Sequence, residues 1–169
     1  NYALGYAYDL IKSGVTDCAI AGGVDSFSRV AFSGFNRLAA MASKKCQPFD
    51  LNRQGMLVGE GAGVLLLEDL SVASRRGVNI YAEILGYGLS CDTHHMVSPD
   101  SSSIASSIRK ALKFSNIKPE EVDYISAHGT GTVENDKAEC EAYQQVFGHM
   151  QEKIPMSSIK SMPCLVLEM

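Results

Sequence analysis

A chain of 169 residues is long enough for one domain with a core, and 46% hydrophobic against 20% charged residues is the ordinary balance of a globular protein. A net charge of −4 without a basic run argues against a nucleic-acid partner, and no apolar stretch approaches the length of a membrane span. Cys18, Cys46, Cys91, Cys140 and Cys164 are spaced neither as a disulfide framework nor as paired zinc ligands, which favours a reducing, cytoplasmic setting.

The chain opens Asn1-Tyr2-Ala3-Leu4, with no basic leader and no initiator methionine, as expected of a piece of a longer protein. Leu4, Ala7, Leu10 and Ile11 recur at helical spacing, which predicts a helix over 2–13 stopped by Gly14. Gly5 weakens that helix unless something packs closely against it. Asp17–Ala21 reads as a short buried strand ended by Gly22-Gly23. Residues 24–60 have no clean period; Phe27, Val30, Phe35 and Leu38 hint at a helical patch. A connection that long is uncommon unless it serves or covers a site.

Gly63–Glu68 reads as a buried strand, followed by a helix at 69–76 that stops at Gly77. Ile80–Tyr87 alternates partly and reads as another strand. A polar, turn-rich segment covers 88–100. A helix is predicted at 102–114, with a serine- and aspartate-rich lead-in suited to capping. Pro119 breaks the chain before the apolar run Val122–Ala127, a strand that ends in His128-Gly129-Thr130-Gly131-Thr132. Asp136-Lys137-Ala138-Glu139 resembles a capping box, Ala138, Ala142 and Val146 continue a helical face, and Gly148 ends it. Ile154–Ile159 reads as a last strand leading to Lys160. The alternation predicts an α/β layered protein with a central mixed sheet.

His128 stands at the end of a buried strand, where a side chain is held firmly yet faces a crevice. The glycines beside it permit close approach to the backbone, and the threonines offer hydroxyls that donate and accept. The alternative is a strand-to-loop turn with an incidental histidine. Lys160 is placed likewise just past a strand; if the two strands are neighbours, both side chains reach one sheet edge as an electrophilic or proton-transfer pair. Otherwise Lys160 is a solvated lysine. Gly59-Glu60-Gly61-Ala62-Gly63 has the composition of a phosphate loop but precedes a strand rather than following one, so its glycines are read as serving close approach between chain segments. The adjacent His94 and His95 point to opposite sides of an extended chain, so no metal site is expected there.

These motifs, taken in order, resemble one family. They are Gly5 to Gly14; Ala21-Gly22-Gly23; Pro48-Phe49-Asp50 with Arg53 and Gly55; Gly59 to Glu68; Tyr81-Ala82-Glu83; Ala127 to Thr132 with Asp136 and Glu139; and Ser157-Ser158 with Lys160-Ser161. Over about residues 1–162 the chain resembles the β-ketoacyl synthases, the decarboxylating condensing enzymes of fatty-acid and polyketide synthesis. The resemblance implies an α/β, partial thiolase-like layered fold (α-β-α-β-α) with mixed sheets. Residues 1–77 would be the later part of the N-terminal half, 78–162 the early part of the C-terminal half, and 163–169 a tail that matches no motif.

The same resemblance implies that His128 is one of two histidines stabilising the enolate oxygen and that Lys160 holds and tunes it. It places Thr130 and Thr132 as hydroxyls on the pantetheine arm, His95 near the entrance for that arm, and Phe35 near the acyl pocket. No cofactor is expected on the protein itself, the phosphopantetheine being carried by the acyl carrier protein. The implied partners are that carrier and a second synthase-like subunit, in a homodimer or heterodimer. The nucleophilic cysteine would precede Asn1 and the second histidine would follow Ser161-Met162, so the isolated piece is expected to be inactive and marginally stable. A non-catalytic partner of the chain-length-factor type and a carrier-binding scaffold are the competing readings.

Overall fold

The computed structural model describes residues 1–93 and 98–162. Helix α1 (Tyr2–Lys12) leads to strand β1 (Cys18–Asp25), helix α2 (Arg29–Arg37), strand β2 (Gly61–Glu68) and helix α3 (Leu70–Arg76). Helix α4 (Ser101–Ser115), strand β3 (Ile125–Ser126), helix α5 (Val133–Phe147) and strand β4 (Met156–Ser157) follow. Short 3₁₀ turns occupy Pro119–Glu121, Gly148–Lys153 and Ile159–Ser161. Among the described residues the expected central mixed sheet is present as two separate pairs, β1 with β2 antiparallel and β3 with β4 parallel.

Strand β1 runs on through Gly22 and Gly23 to Asp25, in register from Cys18 opposite Glu68 to Asp25 opposite Gly61. A side chain at Gly22 would lie 2.1 Å from the Gly63 carbonyl, which accounts for the glycine. The alternation of a strand puts Ala19, Ala21 and Leu67 on the face that α1 covers with Leu4, Ala7 and Ile11. Ile20, Val64 and Leu66 fall on the opposite face and are exposed.

The helical patch that Phe27, Val30, Phe35 and Leu38 hint at is α2, capped by Ser28, whose hydroxyl accepts from the Ala31 amide. Asp69 and Asp100 cap α3 and α4 in the same way. Gly77 takes the left-handed conformation that ends α3 (φ 66°).

The strand expected at Ile80–Tyr87 does not form among the described residues. Its alternation suits a pleated ribbon, but a ribbon needs a neighbour to bond with, and here side chains hold the segment instead. Tyr87 packs edge-on to Tyr8, meets Phe114 and bonds Asp9. The Lys110 ammonium donates to the Leu89 carbonyl at 2.8 Å. Gly5 in α1 is the close-packing glycine the sequence allowed for: a Cβ there would stand 3.0 Å from the Tyr87 ring.

A second core lies where α4 and α5 pack over β3 and β4. Ala127, Tyr143 and Phe147 are its buried centre, with Ile108, Leu112, Ile125 and Met156 around them. Helix α5 starts at Val133 with Thr132 as its N-cap, so Asp136 and Glu139 lie inside the helix rather than in a capping box. Strand β4 ends at Ser157, and Lys160 sits in the following 3₁₀ turn rather than directly past a strand reaching Ile159.

Candidate active site

Parallel pairing of Ile125 with Met156 and Ser126 with Ser157 brings the ends of β3 and β4 to one edge. His128 and Lys160 leave that edge together. The Lys160 ammonium donates to the His128 carbonyl at 2.6 Å and lies 3.4 Å from His128 Nδ1. Lys160 is buried at 4% exposure, whereas the His128 residue is exposed. An ammonium has protons to give and no lone pair to offer. With the ammonium as donor, the matching ring is the tautomer that accepts at Nδ1 and carries its proton on Nε2.

The loop from His128 to Thr132 is fastened from three sides. Below it stand two buried carboxylates of α5. Glu139 accepts from the His128 amide (2.7 Å) and the Gly129 amide (2.8 Å), and its other bonds go to Asn135 and Tyr143. Asp136, 1% exposed, accepts from the Gly131 amide at 3.2 Å and from the Phe49 amide at 2.7 Å. Backbone N–H groups bonded to buried carboxylates make charge-assisted contacts, about twice as strong as neutral ones.

From the second side comes the 46–55 segment, the middle of the long connection. The Cys46 thiol donates to the Thr130 carbonyl (3.2 Å), the Gly55 amide to the Gly131 carbonyl (2.9 Å) and Arg53 Nε to the Thr132 carbonyl (3.2 Å). On the third side Ser158 donates to the Gly129 carbonyl at 2.8 Å. Each carbonyl from His128 to Thr132 thus accepts a hydrogen bond. Gly129 has a left-handed backbone (φ +42°), and a Cβ there would come within 2.5 Å of Ser158 and 2.8 Å of the Phe49 ring. Only glycine fits that position.

Thr130 and Thr132 turn their hydroxyls to each other at 2.7 Å. The Cys46 thiol is pushed above its usual range, first by burial. Its proton is committed to the Thr130 carbonyl, so Cys46 fastens the loop and is a poor nucleophile.

Of the residues marked from the sequence, the fold brings together His128, Lys160, Thr130 and Thr132. Phe35 is half-buried on α2, an element outside this cluster, and His95 lies outside the described residues. The sequence reading missed Arg53, Asp136 and Glu139 as members of the site. The signal was two carboxylates one helical turn apart beside Ala138 and Ala142, on a face that reads as apolar.

Comparison with known proteins shows the family. The family descriptions "Beta-ketoacyl synthase, N-terminal domain" and "Beta-ketoacyl synthase, C-terminal domain" match residues 1–73 and 81–163. The chain belongs to the β-ketoacyl synthase family, and its fold is thiolase-like.

Over 169 residues it is 38% identical to 3-oxoacyl-[acyl-carrier-protein] synthase 2 of Synechocystis, covering 95% of this chain and 41% of that protein. The ishigamide ketosynthase/chain length factor structure superposes with a TM-score of 0.91 at 48% identity, covering 95% of this chain and 40% of that one. A type II polyketide-synthase acyl-carrier protein in complex with its ketosynthase bound to the hexaketide gives a TM-score of 0.90 at 37% identity, over 95% and 42%. The chain therefore spans about 40% of the length of the proteins it matches.

Proposed function

We propose that this chain is part of a β-ketoacyl-[acyl carrier protein] synthase, an acyltransferase of fatty-acid or polyketide synthesis. Its parent would join an acyl and a malonyl thioester by decarboxylative condensation. The bond from the malonyl α-carbon to its carboxylate breaks and carbon dioxide leaves. The electron pair forms an enolate, whose carbon attacks the enzyme-bound acyl thioester, and the cysteine thiolate departs. His128 donates its Nε2 proton as a hydrogen bond to the enolate oxygen, where the charge develops. Lys160 holds the ring in that tautomer. Thr130 and Thr132 bond the amides of the pantetheine arm, with His95 and Phe35 on the substrate path.

The observation that carries this reading is the Lys160 ammonium at 2.6 Å from the His128 carbonyl and 3.4 Å from Nδ1, at the edge of a parallel strand pair. In this reading the nucleophile and the second histidine come from the remaining length of the parent. The halves meet near residue 77, the protein works in the cytoplasm as a dimer, and an acyl carrier protein delivers the substrates. The polyketide-synthase carrier–ketosynthase complex and the ketosynthase/chain length factor structure support those partners by likeness. The latter also supports the second reading, a synthase-like partner subunit. The residue at the nucleophile position separates the two: cysteine belongs to a catalyst.

The test is made on the full-length protein. His128→Ala should lower carbon dioxide release from malonyl thioester by about 10²–10³-fold, the effect of losing one oxyanion donor. Acyl transfer to the cysteine should persist. Unchanged carbon dioxide release in His128→Ala would sink the reading.

A further inference from the structure

We infer that Arg53 is a positioning residue for the Thr130–Thr132 hydroxyl pair, and through it for the amide-bearing arm of the substrate. The inference rests on the ketosynthase reading and adds to it the part that sets affinity for the arm. Thr132 is the N-cap of α5, a place where a threonine hydroxyl ordinarily accepts from the helix's first amides. Here it makes no cap hydrogen bond and pairs with Thr130 Oγ1 instead. A hydroxyl withheld from its cap must be kept in place by something else.

Arg53 does this from the main chain. Its Nε donates to the Thr132 carbonyl at 3.2 Å and its Nη2 to the Val133 carbonyl at 3.0 Å. The same guanidinium is tied back to its own turn, Nη1 donating to the Asp50 carbonyl at 3.1 Å. Asp136 Oδ2 lies 3.7 Å from Nε. A planar fork of fixed donors spans two consecutive carbonyls in a way that a lysine ammonium does not. His128 is secured by different groups, Lys160 and Glu139. Loss of Arg53 should therefore disturb the arm's hydroxyls and spare the enolate donor.

The experiment compares two substrates in the full-length protein: malonyl-pantetheine thioester and S-ethyl malonyl thioester, which has no amides to bond. Arg53→Ala should raise KM for the pantetheine substrate about tenfold, the worth of one lost hydrogen bond, with kcat held within about twofold. KM for the S-ethyl substrate should not move. A folded Arg53→Ala protein with unchanged KM, an equal rise for both substrates, or a fall in kcat alone overturns the inference. Arg53→Lys retains the charge beside Asp136 and is read in the same way if the alanine variant does not fold. Failure of both to fold also overturns it, because Arg53 then serves the fold alone. In any of these cases a continued loss of carbon dioxide release in His128→Ala leaves the ketosynthase reading standing.

Discussion

The hydrogen bond between Tyr143 and Glu139 ties the core of α4 and α5 to the loop that carries His128, because the same carboxylate accepts the His128 and Gly129 amides. Burial, and after it the Glu139 charge, holds the Tyr143 phenol well above the usual tyrosine range. The consequence for stability has a definite sign. Below about pH 10 the phenol keeps its proton in both the folded and the unfolded chain, so the contact is fully effective. Above that, only the unfolded chain releases the proton, and this residue withdraws stability at about 1.4 kcal/mol per pH unit. In the full-length protein, the urea midpoint of Tyr143→Phe should fall less steeply between pH 9 and 11 than that of the parent. Equal slopes would show that Tyr143 does not govern the alkaline limb. The sequence could not reveal this link. A tyrosine four residues after a glutamate on a helix is an everyday pairing until the loop amides arrive on the same oxygens.

At the scale of elements, what was legible in the sequence followed from short-range chemistry. Gly63–Leu67 is an unbroken apolar run and became most of β2, although the run was expected to be buried and Val64, Leu65 and Leu66 are exposed, Val64 and Leu66 for want of a layer over their face among the described residues. Gly77 and Gly148 mark the ends of α3 and α5; Asp100 caps α4. What misled the reading was pairing. Ile80–Tyr87 has the alternation of a strand but bonds through Tyr87 and Leu89 to helices. The sequence ends the first strand at Gly22-Gly23, whereas β1 runs on to Asp25, and the close Gly63 carbonyl requires a glycine at position 22. The candidate site was half legible for the same reason. His128 and Lys160 are each placed by a local strand-to-turn transition, and their meeting needed only that the two strands be neighbours. Asp136, Glu139 and Arg53 act on a loop reached through tertiary contact. From the sequence alone, Asp136 and Glu139 read as a cap and Arg53 as one letter of a motif.

Over the whole molecule, the two cores leave much apolar surface uncovered. Ile20 is 76% exposed, Leu66 64% and Tyr81 95%. Ile20 and Leu66 sit opposite each other on the face of the β1–β2 pair that α1 does not cover. Contiguous apolar faces of this kind mark surfaces that some other polypeptide covers. The proposal that the 169-residue chain belongs to a parent more than twice its length supplies such a cover. Taken by itself, the chain should bind a hydrophobic dye strongly and sediment as concentration-dependent oligomers. A monomer with a sharp, reversible thermal transition and no dye binding would show that these faces need no cover.

In the proposed mechanism Lys160 holds the His128 ring so that Nε2 carries the proton. Side-chain ¹⁵N–¹H correlation spectra of the full-length protein labelled at histidine nitrogen report this directly at neutral pH. The prediction is a His128 with a protonated Nε2 and a bare Nδ1, and loss of that preference in Lys160→Met. A proton on Nδ1, or a tautomer indifferent to Lys160, would contradict it.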